Sequence, residues 1–143
     1  MSFGKIYDIA GTAINANSLR LNTISSNLAN ADSISGSEAE AYRALKPVFS
    51  TIYNDPTLSA TDRAASAGVA VQGIVQTDQP VQKRHEPDNP LADAEGYVYY
   101  SNVNVVEEMA DMLSASRNYE ANVEILNQAK SMQQSLLRMG DRV

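Results

Sequence analysis

The side chains of this sequence that could do chemistry are few. His85 is the only histidine. It lies between Arg84 and Glu86 in a proline-flanked stretch, and reads as an exposed loop residue rather than a base or a metal ligand. Paired carboxylates such as Asp88 and Asp93 are the raw material of glycan hydrolysis, in which one acid protonates the leaving group and the other attacks or activates water. No partner motif supports that use here. The chain has no glycine-rich phosphate loop and no metal-ligand spacing. Without cysteine it can form neither disulfides nor thiolate metal sites. The expectation is a protein that is not an enzyme and takes no cofactor or metal.

The bulk numbers narrow the class further. The chain has 143 residues, with 11 Lys and Arg against 17 Asp and Glu and a formal charge of −6. That length suits one modest core. The acidic balance argues against nucleic acid, which demands a basic face. Lys83-Arg84 is the only adjacent basic pair, and Glu86 and Asp88 follow at once. The first residues lead into no apolar run of the kind a cleaved secretory signal carries. No stretch approaches the roughly 18 to 20 apolar residues of a membrane span, so direct membrane insertion is not expected.

The elements that must position these residues follow from periodicity. From about Phe3 to Ala31, Tyr7, Ala10, Ile14, Asn17, Leu21, Ile24, Leu28 and Ala31 recur in steps of three and four, the seam of a bundle helix or coiled coil. Asp32, Ser33 and Gly36 end it. The middle, about 34–103, holds all five prolines. Val48 to Tyr53, Val69 to Val75 and Tyr97 to Tyr100 read as short strands there. Asn54-Asp55-Pro56 and Pro87-Asp88-Asn89-Pro90 mark turns, and Ser59 to Ala67 reads as a short helix or a loop. From about Val105 to Met139 a second helix follows, with Asn104 as N-cap, Glu107 completing a capping box and Gly140 as the stop. Its stripe is Val105, Met109, Met112, Ser116, Tyr119, Val123 and Leu126. About 35 residues at 1.5 Å each make a rod of about 50 Å, too long for a small β-rich middle to cover. The expected fold is therefore mainly α, with long N- and C-terminal helices packed as a coiled-coil-like pair and a small β-containing middle insert. The segments are an N-terminal core helix (1–33), an insert (34–103) and a C-terminal core helix (104–143), forming one structural unit.

The first helix has an unusual surface. Between Ile9 and Ala31 only Arg20 is charged, while Asn15, Asn17, Asn22, Asn27 and Asn30 intersperse with serine and threonine. Small and amide-rich faces suit contact on several sides, and a buried Asn must find hydrogen-bond partners and so fixes register. Such a helix is weak alone, because Asn, Ser and Thr favour caps and turns. In the second helix Glu107, Glu108 and Asp111 precede Lys130 and Arg138, matching the helix dipole. Arg117 has Glu120 three residues on and Glu124 seven on. The plain reading is a local Arg–Glu pair of a few tenths of a kcal/mol; the other is an ion pair to a neighbouring subunit.

Two blocks carry a resemblance. Ser26-Asn27-Leu28-Ala29-Asn30 closes the first helix. Asn102-Val103-Asn104-Val105-Val106-Glu107-Glu108-Met109, then Met112, then Arg117-Asn118-Tyr119-Glu120-Ala121-Asn122 open the second. Together they resemble the terminal signatures of the flagellar rod and hook family. Many members follow the first block with Thr-Pro-Gly-Tyr, whereas Ala31-Asp32-Ser33 stands here and Tyr42-Arg43 comes later. With the short insert and Asp88 to Val98 before the helix, this is similar to proximal rod members. The resemblance implies a structural subunit of a drive shaft that polymerises through its terminal helices. It also implies passage through the flagellar type III export apparatus and a place in the basal-body rod across the periplasm. Its implied partners are copies of itself and other rod proteins. On that reading Ile14, Leu21, Ile24, Leu28, Met109, Met112, Tyr119, Val123 and Leu126 pack helices. Asn27 and Asn30 set register, Arg117 and Glu120 make polar lateral contacts, and Asn122 belongs to the same assembly interface. A small helical adaptor or export chaperone of a secretion system is the other class compatible with an acidic, cysteine-free chain.

Overall fold

The computed structural model describes residues 3–53 and 67–140. Helix α1 runs Phe3–Ala29 and helix α2 runs Val105–Gly140. Between them lie β1 (Ile34–Ser35), β2 (Leu45–Tyr53), β3 (Ala67–Gln76), β4 (Gln82–His85) and β5 (Tyr97–Tyr100). Two long terminal helices around a small sheet-bearing insert match the expected class. The expected turn at Asn54 to Pro56 and all but the last residue of the Ser59 to Ala67 segment lie outside the described residues.

The end of α1 and the start of α2 have identifiable causes. α1 has no acidic residue in its first turn and no basic residue in its last, so it gains nothing from side-chain charges on its dipole. It stops at Asn30, whose side-chain amide donates to the Ser26 carbonyl (2.8 Å), satisfying one of the carbonyls a helix C-terminus leaves over. The Ser33 hydroxyl then donates to the Asn30 carbonyl (2.8 Å). α2 begins under Asn104, whose Oδ1 accepts from the amides of Val106 (3.1 Å) and Glu107 (3.4 Å). Only half the expected capping box forms: the Glu107 carboxylate turns to Lys46 instead (3.4 Å). Gly140 was expected to lie beyond the helix, but it remains helical.

The buried stripe of α2 keeps the expected Met112, Ser116, Tyr119, Val123 and Leu126, all half-buried, and departs from the expected one only in the first turns. Glu108, Asp111, Met112, Ala115, Ser116, Tyr119, Asn122, Val123, Leu126 and Ala129 are the buried or half-buried positions, a band that recurs at intervals of three and four. Val105 and Met109, by contrast, are 41% and 59% exposed. Counting apolar residues misplaced only the start of the stripe, because the buried residue there is a carboxylate, Glu108, held by its ion pair with Lys46 (3.0 Å).

The chain divides into two compact units. One comprises Met1–Leu19, Phe49–Gln72 and Ser114–Val143. Within it the Thr12 hydroxyl donates to the Ile9 carbonyl (2.8 Å) and accepts from the Val69 amide (3.2 Å). Gly68 permits this approach, since a Cβ there would sit 3.0 Å from the Thr12 hydroxyl. In the same unit the Tyr7 hydroxyl donates to Gln133 Oε1 (3.3 Å), and Gln72 Nε2 donates to the Ser50 hydroxyl (2.9 Å).

The second unit comprises Arg20–Val48 and Gly73–Leu113. It contains a three-stranded antiparallel sheet in the order β1-β5-β4, with Ile34 opposite Tyr100, and Gln82 to His85 opposite Tyr100 to Tyr97. β2 and β3 pair as a separate two-stranded sheet. Val98, fully buried, anchors β5. β4 shows no apolar alternation, yet it is a strand. Lys83 lies 4.0 Å over the Tyr97 ring and Arg84 4.4 Å over the Tyr100 ring, and such cation–π contacts favour each placement modestly at exposed sites. His85 ends this strand rather than sitting in a loop, meeting the Tyr97 ring edge-on at 4.9 Å.

Candidate assembly surfaces

Asp93, one of the two carboxylates singled out for chemistry, organises a turn. Its Oδ1 accepts from the amides of Glu95 and Tyr97 (both 2.9 Å), and its Oδ2 accepts from the Tyr99 hydroxyl (3.2 Å). Gly96 closes the turn at φ +81°, where a side chain would be strained. The Tyr97 amide bond, aided by the Glu95 amide, Tyr99 and Lys83, holds the Asp93 carboxyl below its ordinary value. Glu86 is likewise held down, first by Asn89 and then by Tyr100.

Both carboxylates bind protons more weakly folded than unfolded. Their stabilisation is therefore complete above the ordinary values of 4.5 and 3.8 and is lost as pH falls through their lowered values. Amide exchange across β4 and β5 is expected to accelerate over that acid range, and Asp93→Asn is expected to flatten the dependence. Unchanged protection at Tyr97 from neutral pH to well below 3.8 would show that these carboxylates do not hold the sheet.

The deepest polar site in the second unit is Asn27, which is fully buried. Its Nδ2 donates to the Leu45 carbonyl (2.8 Å), while its Oδ1 accepts from the Leu45 amide (2.8 Å) and the Tyr42 hydroxyl (3.1 Å). The amide thus pairs with a backbone unit as another strand would, tying α1 to the start of β2. Asn102 does similar work: its Oδ1 accepts from the Ala44 amide (2.6 Å), and its Nδ2 donates to the Thr77 hydroxyl (3.1 Å) and the Gln79 carbonyl (2.8 Å).

Beside Asn27's partner Leu45 lies a charge cluster. Lys46 Nζ stands 3.0 Å from Glu108, 3.4 Å from Glu107 and 3.5 Å from Asp111, and Arg20 holds the other side of Asp111 at 3.0 Å. Burial draws the Lys46 ammonium down; Glu108, with Glu107 and Asp111, outweighs it and leaves it above the usual lysine value. Glu108 is 2% exposed, and its Oε2 accepts no hydrogen bond from the protein. Among the described residues no group of histidine, cysteine and acidic side chains is arranged to hold a metal ion, and no helix is long and apolar enough to cross a membrane.

The residues expected to mediate assembly fall into three groups. Ile24 and Asn27 are buried, and Asn27 spends its hydrogen bonds inside the chain. Ile14, Leu21, Leu28, Asn30, Met112, Tyr119, Asn122, Val123 and Leu126 are half-buried, with Asn30 capping α1 and Asn122 Nδ2 bonded to the Asn118 carbonyl (2.7 Å). Met109, Arg117 and Glu120 are exposed. The local pair of Arg117 with Glu120 or Glu124 does not form: no ion pair of Arg117 occurs among the described residues. Sequence reasoning passed over Lys46 and took Asn102 only as part of the signature block, because their partners lie too far along the chain to be guessed. The expected α2 stripe, flanked beyond Leu126 by Ala129, Met132, Leu136 and Met139, also left out three apolar residues of the exposed surface. Val106 is 78% exposed, Leu113 58% and Leu137 65%, and every residue from 130 to 140 is exposed.

A family described as flagella basal body rod protein matches residues 8–34, and one described as flagellar basal body rod FlgEFG protein C-terminal matches residues 94–139. These matches cover α1 from Asp8 onward to the first residue of β1, and run from just after Asp93 to the last residue but one of α2. The chain belongs to the flagellar basal-body rod family. Its relatives include the flagellar basal-body rod protein FlgC of Escherichia coli O6:H1, 47% identical over 98% of this chain and 99% of the relative. FlgC of Salmonella typhimurium is 46% identical over the same shares, and that of Borreliella burgdorferi is 36% identical over 91% of this chain and 92% of its own length.

Proposed function

We propose that this chain is a structural, non-catalytic subunit of the proximal rod of the bacterial flagellar basal body. It polymerises through its terminal helices, packed as a coiled-coil-like pair, with copies of itself and other rod proteins. Near-full-length relationship to proteins named as rod components supports this reading over a helical adaptor or export chaperone. The observation that carries it is the apolar far end of α2. Met132, Leu136, Leu137 and Met139 are 57%, 51%, 65% and 60% exposed there. Exposed apolar surface of that kind marks an interaction site. Segments 1–33 and 104–143 form the inner core of the shaft, and 34–103 faces outward. Export proceeds through the flagellar type III apparatus without signal cleavage, and the rod crosses the periplasm. The function is mechanical: helix faces buried among several neighbours resist torsion while torque passes through.

Changing Met132 and Leu136 to Asp together tests the reading. Both side chains are already exposed, so stability is expected to shift by no more than about 0.5 kcal/mol per site. Motility is expected to vanish, with no rod in isolated basal bodies. Normal swimming in that double variant would remove the assembly reading of α2.

A further inference from the structure

Two pairs of opposite charges lie idle on the surface of the first unit. Lys5 and Asp8 stand three residues apart on α1, and Arg117 and Glu120 stand three apart on α2, all exposed. Neither pair closes within its own helix, and none of the four joins an ion pair among the described residues. Asp8 is the only acid in α1. Of the basic residues of α2, only Arg117 has an acid three places on within the helix.

We propose that one copy of this chain docks the beginning of its α1 antiparallel against the middle of α2 of the next copy, with Asp8 facing Arg117 and Lys5 facing Glu120. The proposal rests on the rod reading, which supplies the second copy. An antiparallel alignment that pairs residue 8 with 117 also pairs 5 with 120, so one register satisfies both contacts. A parallel alignment through Asp8 and Arg117 sets Lys5 beside Ser114 and wins only one.

The neighbouring positions agree with that register. Gly4, Asp8, Gly11 and Asn15 recur in steps of four, three and four along an exposed or half-exposed face of α1. Ala121, Arg117, Ser114 and Ala110 run the same steps backwards along α2, all exposed. Gly4 then meets Ala121 and Gly11 meets Ser114, which lets the two backbones approach closely.

The chain cannot make this contact with itself. Tyr7 already touches Gln133 of its own α2 (3.3 Å). Arg117 lies about 24 Å further back along that helix at 1.5 Å per residue. Exposed ion pairs of this kind select register and partner more than they add affinity. A contact using different patches on its two sides is heterologous and extends without closing unless the rotation brings it full circle, as a shaft requires.

Because the sequence has no cysteine, crosslinking reads the register directly. Asp8→Cys with Arg117→Cys in one chain, oxidised in isolated basal bodies, is expected to give covalent dimers and higher multimers of this chain. A disulfide needs Cα atoms within about 7 Å, so Asp8→Cys with Glu124→Cys is expected to give none. Charge reversal supplies a second readout: Asp8→Arg and Arg117→Asp should each impair swimming, and together restore it. Three outcomes would overturn the proposal. They are no crosslink from assembled rods, a product containing a different protein, or a crosslink of Asp8→Cys to Arg138→Cys in place of Arg117→Cys. Absence of the chain from basal bodies would instead remove the rod reading itself, so the two failures are distinguishable.

Discussion

Asn27→Ala is expected to lower the stability of the second unit by about 2 to 4 kcal/mol. The substitution removes three hydrogen bonds, those to the Leu45 carbonyl, the Leu45 amide and the Tyr42 hydroxyl. Each partner left unsatisfied costs about 1 to 3 kcal/mol when fully buried. Leu45 and Tyr42 are half-buried, so water regained there keeps the sum in the lower part of that range. Asn27→Asp is expected to be worse. It keeps the accepting oxygen but turns a second oxygen toward the Leu45 carbonyl and adds a charge at a site with no exposure. Urea unfolding followed by tyrosine fluorescence reads this without interference, since the chain has no tryptophan. A loss below about 0.5 kcal/mol, the range of an ordinary surface change, would show that the Asn27–Leu45 pairing does not support the fold.

The charge cluster gives the second large effect, and its asymmetry is the useful part. Lys46 keeps 35% of its side-chain surface, while Glu108 keeps 2%. Lys46→Met strands a buried carboxylate, and removing one member of a buried pair costs about 3 to 5 kcal/mol. Glu107 and Asp111 no longer have the ammonium between them either. Discounting for water that reaches the lysine side, a loss of about 3 kcal/mol is expected. Glu108→Gln leaves the ammonium with two carboxylates and access to solvent, so about 1 kcal/mol is expected. The order is the test: a larger loss from Glu108→Gln than from Lys46→Met would mean that the cluster is not organised around the buried carboxylate.

How much of this was legible beforehand depended on whether the signal was local. Both helices, and β5 from Tyr97 to Tyr100, follow from short-range patterns and were read within a few residues. β1 is two residues long, too short to carry a period. β4 is Gln-Lys-Arg-His with every residue exposed, and becomes a strand through the tyrosines its cations cover across β5. The first turns of the α2 stripe were misplaced for a similar reason, because the burial of Glu108 depends on Lys46, far away in sequence. Asn27 shows the boundary well. That a buried amide needs partners is a rule any sequence obeys, but which backbone unit supplies them is a property of the fold. Arg117 was assigned a helix-mate by spacing alone, and the structure leaves it without one.

The last buried residue of α2 is Ala129, and the eleven residues from 130 to 140 continue as exposed helix for about 16 Å. An isolated helical segment of that length is marginal in water, and none of its described residues is buried. On the assembly reading proposed above, the order of this segment is a collective quantity. It rises with the number of neighbours that cover Met132, Leu136 and Met139, and follows mass action as ligand binding does. A subunit built this way acquires its full rigidity on joining the lattice. The growing tip is then softer than the finished shaft behind it, and stiffness accumulates in the direction of growth.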